Sequence, residues 1–512
     1  LEREQRWSEV LSACDAVARQ GNLPADVIER YDLAKIRCDL QRRHSETAFR
    51  SRIARLSEAD GRRVNAEVLA RIGSHHVEAP NFSRLVSRGC RAMDVAVDSP
   101  LFISLYAAQS TPQRRELYRQ QVAQLMTSRS VATQTDAETI TAWVARIAHS
   151  TLGVPPAVTL LEMTAAAMGG LDEYSSFLTN GQLDDLYAQI EGNFVGLGVE
   201  LKSAEDGLLV VHVIPGSPAQ RVGLSAGDHL VGVGGRALAG MNVDEAAQLL
   251  QGAEGSVVTL AVLRGSGPAR AMTVRREHVE VPSVEDVRII DPVAGVGLVK
   301  VTSFQKTTAA DLEAALRRLD AAGMRSLVID LRGNPGGLLS SAVDVADLFL
   351  ERGLVVATRG RSQEEDFNYS ARRPGTWKLP LVLVIDGDSA SSSEIFAGAI
   401  RDHGRGTIVG TRSYGKGSIQ GIFPLEVAGV GMRLTTAKFF SPKGLPYSRV
   451  GVEPDLQVQE VAKPLSPATG SALALAAPVP ASDAFLDAAL EVARRGQVRP
   501  VAKPASRAAL AR

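Results

Sequence analysis

The chain has 512 residues, 45% hydrophobic and 22% charged, with 57 basic and 57 acidic side chains. Such a length suggests about three domains of ordinary globular composition. An even charge balance supplies no long-range field to gather phosphates, which argues against nucleic acid as a partner.

Residues 1 to about 165 are rich in Ala, Arg, Leu and Glu, and apolar positions such as Val64, Val68, Leu69 and Ile72 recur at helical spacing. Breaks are expected at Gly21 to Pro24, at Pro80-Asn81 and at Ser110-Thr111-Pro112, where a hydroxyl residue followed by proline suits a helix start. Cys14, Cys38 and Cys90 all lie in this half. Three thiols cannot form a disulfide framework for the later domains, and small buried hydrophobes is the expected role. The sequence opens on Leu1, with no signal peptide in view, so any targeting segment or anchor is expected upstream. No apolar run reaches the ~18 residues that span a bilayer.

From Gly192 the texture changes to short β-branched runs between glycines, such as Leu208 to Val213 and Val257 to Val262, with one amphipathic helix expected over 242–250. After residue 279, continuous apolar runs at Leu327 to Leu331 and Leu381 to Ile385 alternate with helical stretches, the pattern of a sheet covered by helices. The tail from 459 reads as an Ala/Pro-rich linker, a helix near 482–495 and a disordered basic end.

Two local features bear on chemistry. Asp386 to Ile400 runs from a strand through serines into a helix, where amides at the helix start favour developing negative charge. Ser391 with Glu394 also fits a capping box, in which the serine only satisfies a helix-end amide. A hydroxyl needs a base to attack a carbonyl, and none of the eight histidines has a triad setting; His403 reads as a charge near a helix C-terminus. Lys416 stands between Gly415 and Gly417, which let the backbone press against other chain. To act as a base it must be held neutral, roughly three units below the ordinary lysine value and at a cost of about 4 kcal/mol. Taken alone, a Gly-Lys-Gly is also an ordinary solvated loop. Ser413 with Lys416 forms a Ser-x-x-Lys, but the flanking glycines speak against the helix which that motif opens elsewhere.

Several separated segments resemble the C-terminal processing peptidases, or tail-specific proteases. Leu171 to Leu178 is similar to that family's Leu-Asp-Pro-Tyr-Ser-x-Phe, with Glu173 at the proline position. Asp330 to Gly337 is similar to its Asp-Leu-Arg-x-Asn-Pro-Gly-Gly, and Ser389 to Glu394 to its Ser-Ala-Ser-Ala-Ser-Glu, with Ser392 at an alanine position. Lys416 follows Ser391 by 25 positions and Gln420 follows by four more, as in the family, and Thr435 to Pro442 resembles the next strand and turn. The resemblance implies Ser391 as nucleophile, Lys416 as general base and Gln420 as its orienting partner. Oxyanion amides would come from Ser392 and from Gly336 or Gly337. Residues 192–278 resemble a PDZ domain, with Phe194, Gly196, Leu197, Gly198 and Val199 in the segment that receives a substrate's terminal carboxylate.

The implied architecture is multidomain α+β: a helical N-terminal region (1–135), a helical lead-in to the protease core (136–191), the PDZ domain (192–278), an α/β Ser/Lys protease core (279–458), and a linker, short helix and tail (459–512). The implied function is a serine endopeptidase without metal or cofactor, acting on proteins or peptides bound by their C-termini, in the periplasm or cell envelope, as a homo-oligomer with an activating adaptor. The alternative is a catalytically silent PDZ-containing binding or scaffold protein on the same fold.

Overall fold

The computed structural model describes residues 7–18, 24–108, 110–204, 206–239, 241, 246, 249–250, 252–265, 267–373, 376–458 and 483–495. In chain order the elements are α1 (Trp7–Ala18), α2 (Ala25–Ser45), α3 (Thr47–Ile53), α4 (Glu58–His75), α5 (Phe82–Ala96), α6 (Pro100–Tyr106), α7 (Pro112–Ser128), α8 (Gln134–Leu152), α9 (Pro156–Gly169), β1 (Ser176–Leu178) and α10 (Asn180–Glu191). A β-rich stretch follows with β2 (Asn193–Gly196), β3 (Val199–Ala204), β4 (Gly207–Val213), α11 (Pro218–Arg221), β5 (His229–Val233), β6 (Arg236–Ala237), β7 (Val257–Leu263), β8 (Arg270–Arg275) and β9 (Glu277–Glu280). The remainder comprises β10 (Val284–Asp291), β11 (Val296–Val301), α12 (Thr308–Ala321), β12 (Ser326–Asp330), α13 (Leu339–Asp347), β13 (Gly353–Gly360), β14 (Phe367–Ala371), β15 (Leu381–Ile385), α14 (Ser392–Asp402), β16 (Thr407–Gly410), β17 (Ser418–Pro424), β18 (Gly431–Phe440), β19 (Leu456–Gln457) and α15 (Ala484–Arg495).

The helix starts follow their capping chemistry. Thr111 accepts from the Arg114 N–H and is followed by Pro112 at the first helical position. Asn81 caps α5 in the same way, and Ser57 with Asp60 and Thr133 with Asp136 form reciprocal capping boxes. None of the helices among the described residues is long and apolar enough to cross a membrane. The three cysteines form no disulfide among the described residues and are half-buried, and burial pushes the Cys90 thiol up to about 12, as befits a small hydrophobe. The helix expected over 242–250 and the tail at 459–482 and 496–512 fall largely outside the described residues, whereas the helix expected near 482–495 is α15.

The chain packs as two compact units that do not follow its linear order. The first joins residues 1–186 with 359–366 and 419–437. Its core is built by Val64, Val68, Leu69 and Ile72 of α4 with Leu85, Met93, Val144, Val158 and Leu161, and Leu425, Val430, Met432 and Leu434 are buried in the same cluster. The return of 419–437 is explained by pairing as well as by burial: β1 runs antiparallel to β18 with Ser176 opposite Arg433 and Leu178 opposite Gly431.

This helical unit also encloses a charged group. Glu162 is 1% exposed, receives both ends of the Arg43 guanidinium at 3.2 and 2.6 Å, and lies 2.9 Å from His44 Nε2. Burial alone would raise the Glu162 carboxyl, but Arg43 and His44 outweigh it and hold the group at about 2.

The second unit holds 187–358, 367–418 and 438–512. Its β-rich part forms a sheet ordered β3-β4-β5-β7-β8, with β6 beside β5, around Leu208, Val210, Leu230, Leu260 and Val274. Its other sheet is ordered β10-β11-β12-β15-β16-β19, parallel from β11 onward with β10 as an antiparallel edge. Helix α15 buries Phe485, Ala489, Val492 and Ala493 against Val328, Val382, Val384 and Val409 on this sheet. Arg332, just after β12, bonds Asp330 at 2.7 Å and Asp483 at 2.8 Å, and Asp483 in turn accepts from the N–H groups of Phe485 and Leu486 at the start of α15.

Replacing Glu162 by Gln is expected to cost about 3–5 kcal/mol at pH 7, because it strands Arg43 in the interior. Since the folded-state value is depressed, wild type has its full advantage above the unfolded value near 4.5 and loses it as pH falls toward about 2. Urea unfolding at pH 7 and pH 3 should therefore show a wide gap between the two proteins at the first pH and a narrow one at the second.

Candidate active site

Adjacent parallel strands β12 and β15 end on the same side of the sheet, and the loops that leave them carry the residues of interest, as is usual for open α/β sheets. From β12 comes Leu331 to Leu338, and from β15 comes Asp386 to Ser391, which opens α14.

Ser391 has φ 56° and ψ −113°, a left-handed conformation that non-glycine residues rarely adopt. Ser391 and Glu394 form the expected capping box, the Glu394 carboxylate accepting the Ser391 N–H at 2.8 Å, and the Glu394 N–H also meets the Ser391 main-chain carbonyl at 2.9 Å. The neighbouring hydroxyls are engaged elsewhere. Ser389 donates to the Leu331 carbonyl at 2.8 Å, Ser392 to the Gly337 carbonyl at 3.0 Å and Ser393 to the Asn334 carbonyl at 3.0 Å, and all three residues are buried. Ser391 is the serine of the run that is partly exposed.

The glycine loop lies directly against this elbow. A Cβ on Gly336 would come within 2.7 Å of the Ser391 Cβ and 2.8 Å of the Ala390 carbonyl oxygen, and Gly336 has φ +102°. Asn334 explains how the loop holds its shape: fully buried, it donates from Nδ2 to the Val301 carbonyl at 2.8 Å, accepts the Gly336 N–H at 2.9 Å, and receives the Ala390 N–H on its own carbonyl at 3.0 Å. The Gly336 N–H is thus taken up inside the loop, while that of Gly337 meets no acceptor among the described residues.

Lys416 is held from the other side. Glu394, 0% exposed, accepts four hydrogen bonds: Ser391 N–H to Oε2 at 2.8 Å, Lys416 N–H to Oε2 at 2.9 Å, Gly415 N–H to Oε1 at 2.7 Å and the Ser413 hydroxyl to Oε1 at 2.6 Å. One carboxylate oxygen therefore bonds the main-chain nitrogens of both Ser391 and Lys416, which cannot be farther apart than those two bonds laid end to end. Burial raises the Glu394 carboxyl above its ordinary value, partly offset by these donors. The flanking glycines are required by close approach: a Cβ on Gly417 would come within 2.2 Å of the Ser448 nitrogen, and one on Gly415 within about 3 Å of the Arg449 backbone. Ser413 lies outside any helix and its hydroxyl also accepts the Val452 N–H, which leaves no penicillin-binding type of arrangement.

Gln420 belongs to the helical unit, on β17, with Nε2 at 3.5 Å from Thr435 Oγ1. His403 caps the C-terminus of α14 and lies 2.7 Å from the Leu354 carbonyl. In the β-rich part, Phe194 and Gly196 pair with Val279 and Glu277 across β2 and β9, so these two are strand residues rather than loop. Leu197 and Gly198 form the turn into β3, their carbonyls accepting from the Ala219 and Ile214 N–H groups. Val199 opens β3, the outer strand of its sheet among the described residues. No group of three or more His, Cys, Asp or Glu among the described residues is disposed to hold a metal ion.

Sequence reasoning saw Glu394 only as a capping partner, Asn334 only as part of a family-like segment and Ser413 only in a Ser-x-x-Lys, none of them as a support for the site. The signal available was a carboxylate fixed three residues after a candidate nucleophile.

Residues 295–458 match the model of peptidase family S41 and residues 209–264 that of a PDZ domain. The chain is 36% identical over 296 residues to the carboxy-terminal-processing protease of Bartonella bacilliformis, covering 57% of this chain and 67% of that one. It is 30% identical over 304 residues to a probable CtpA-like serine protease of Staphylococcus aureus, spanning 60% of that protein's length. The solved photosystem II D1 C-terminal processing protease is 24% identical with a TM-score of 0.42, covering 78% of this chain and 92% of that one. The class is that of a serine protease with a PDZ domain. This chain belongs to peptidase family S41, the carboxy-terminal-processing proteases.

Gly336→Ala is expected to lower peptidase activity by about 10²-fold or more, because a methyl group there drives the Ser391 backbone out of place. Steady-state kinetics on a peptide substrate, with circular dichroism to confirm the fold, provides the check.

Proposed function

We propose that the chain cleaves peptide bonds by a Ser/Lys acyl-enzyme mechanism and captures its protein substrates by their C-terminal tails. The Lys416 amine takes the proton of the Ser391 hydroxyl as Oγ attacks the scissile carbonyl. The oxyanion is received by the N–H groups of Gly337 and Ser392; Gly336, the other candidate, has its N–H turned to Asn334. Lys416 then gives the proton to the leaving amine, and water, deprotonated in turn by Lys416, releases the acyl group. Gln420 orients the lysine amine, a role assigned by the family spacing.

The observation that carries this reading is the shared Glu394 oxygen, which bonds the backbone of the serine and of the lysine at once. Engagement of the Ser389, Ser392 and Ser393 hydroxyls supports Ser391 as the attacking group. The outer edge of β3 supports tail capture: a peptide added there beside Gly198 to Leu201 gains backbone hydrogen bonds, with the amides of the Leu197-Gly198 turn facing its carboxylate. Kinship to the family also favours work in the cell envelope as a homo-oligomer under an activating adaptor.

Ser391→Ala and Lys416→Ala are each expected to reduce peptide cleavage by at least about 10³-fold with the fold intact. A fluorophosphonate probe should label wild type and not Ser391→Ala. Full activity in either variant would overturn the assignment and leave a peptide-binding scaffold. For the PDZ role, amidating the C-terminus of a tailed substrate should raise KM about tenfold while leaving kcat within about twofold; equal KM values for acid and amide would rule out carboxylate capture.

A further inference from the structure

Helix α15 lies beyond residues 295–458, the span matched to the peptidase family, yet its start is bonded to the glycine loop of the active site. Asp483, immediately before the helix, receives both ends of the Arg332 guanidinium, Nη1 on Oδ1 at 2.9 Å and Nη2 on Oδ2 at 2.8 Å. The same guanidinium bonds Asp330, Nε to Oδ1 at 2.9 Å and Nη2 to Oδ2 at 2.7 Å, and its carbon lies 5.3 Å from the centre of the Phe485 ring. Asp483 also caps α15, its Oδ1 accepting the N–H groups of Phe485 at 3.1 Å and Leu486 at 3.2 Å. Burial would raise the Asp483 carboxyl, but Arg332 and these two amides outweigh it and hold the group below its ordinary value. One carboxylate thus serves the helix and the loop at once.

The far end of α15 is pinned in the same manner. Arg494 donates from Nε to Asp291 at 2.6 Å, and Asp291 also accepts the Val293 and Ala294 N–H groups in the turn that leads into β11. Asp291 stands opposite Val296, the first residue of β11, while β11 runs parallel to β12 until Lys300 meets Asp330. The Asp291 pair therefore sits where the parallel strands begin, and the Asp483 pair where they stop, on the side of the glycine loop and the serine elbow. Between the two, Phe485, Ala489, Val492 and Ala493 are buried on the sheet. A single helix carries two arginine–aspartate pairs, and only one of them faces the chemistry.

From Arg332 the loop runs on to the oxyanion donors. The Gly333 N–H meets both oxygens of Asp386 at 3.1 Å, and Asp386 Oδ1 accepts the Ser389 N–H at 2.9 Å, two residues before Ser391. Asn334 holds the second half of the loop. The first half has less support: Gly333 has φ +69°, and a Cβ placed there would meet nothing within 4 Å. Polar bonds at Arg332 and Gly333, not packing, keep this freely turning glycine in place. We propose that Asp483 is a positioning residue of the proteolytic reaction: by clamping Arg332 between itself and Asp330 it fixes the leading half of the glycine loop, so that the Gly337 N–H stays aimed at the developing oxyanion. This rests on the Ser391 and oxyanion reading given above. It makes α15 a part of the active site and not only a cover for the sheet.

The test compares Asp483→Asn, Arg332→Lys and Arg494→Met in the full chain, by kcat and KM on one peptide substrate, by inhibition with a boronic acid analogue of that peptide, and by thermal melts. Asparagine caps a helix about as well as aspartate, so Asp483→Asn keeps α15 and removes the paired charge. Lysine keeps the charge of Arg332 but lacks the fork that spans two carboxylates. Both variants should lose about tenfold in kcat, a fraction of the roughly 10²–10³-fold that removal of a whole oxyanion donor costs, with KM within about twofold. The boronate, whose tetrahedral adduct with Ser391 sets an oxygen in the oxyanion position, should bind them more weakly by the same factor. Arg494→Met should melt lower yet keep wild-type kcat and boronate affinity. Folded Asp483→Asn and Arg332→Lys proteins with wild-type kcat and boronate affinity overturn the inference. So does an Arg494→Met protein that loses as much as they do, since α15 would then act through the fold as a whole. If Ser391→Ala cleaves the peptide, the underlying mechanism fails first; if it is inactive while Asp483→Asn and Arg332→Lys match wild type, the positioning role fails alone.

Discussion

The active site depends on one carboxylate removed from water. Glu394 has no exposed surface, and both of its oxygens are taken by donors from two stretches of chain that lie more than twenty positions apart in sequence. A buried acid without partners would be neutral or would disrupt its surroundings. Here the backbone N–H groups of Ser391, Gly415 and Lys416, with the Ser413 hydroxyl, supply what water would otherwise give. The elbow and the lysine loop therefore cannot drift apart without stranding buried polar groups, at roughly 1–3 kcal/mol for each one left unpaired. Precision in the relative placement of serine and lysine backbones comes from this acceptor more than from either loop alone.

The glycines around the site follow from the same crowding. Gly336 is pressed against Ser391 and Gly417 against Ser448, so the sequence has no room for a Cβ at either place. Asn334 performs for the glycine loop what Glu394 performs for the lysine loop, joining the end of β11, the glycines and the serine elbow through one side chain. Both polar residues act by satisfying backbone groups, which is the least visible kind of work in a sequence.

Much of the architecture was legible beforehand because it rests on periodicity and punctuation. The helical spacing of Val64, Val68, Leu69 and Ile72, the Thr111-Pro112 start and the apolar strands at 327–331 and 381–385 each correspond to an element of the expected kind. The serine, the lysine and the glycine loop were picked out by their resemblance to family motifs; the structure sets the glycine loop and the serine at the ends of adjacent parallel strands and ties the lysine backbone to the serine through Glu394. What stayed hidden was long-range pairing. Nothing local to Leu425 or Met432 says that they complete a core of helices begun nearly four hundred residues earlier. Similarly, the partners of Thr435 lie at Asp172 and Ser175, where a motif announces itself but not its purpose. The capping box read at Ser391 and Glu394 is present, and what the sequence did not show is that the same Glu394 carboxylate also holds the Lys416 backbone.

That late pairing of β1 with β18 has a consequence for synthesis on the ribosome. The helices of residues 7–169 emerge well before β18, so the apolar surface awaiting Val430, Met432 and Leu434 stays uncovered until that strand has been made. Until then a nascent chain displays a greasy cleft of the kind that holdase chaperones and neighbouring chains bind. The order of translation thus leaves the helical core open for longer than its own sequence span would require.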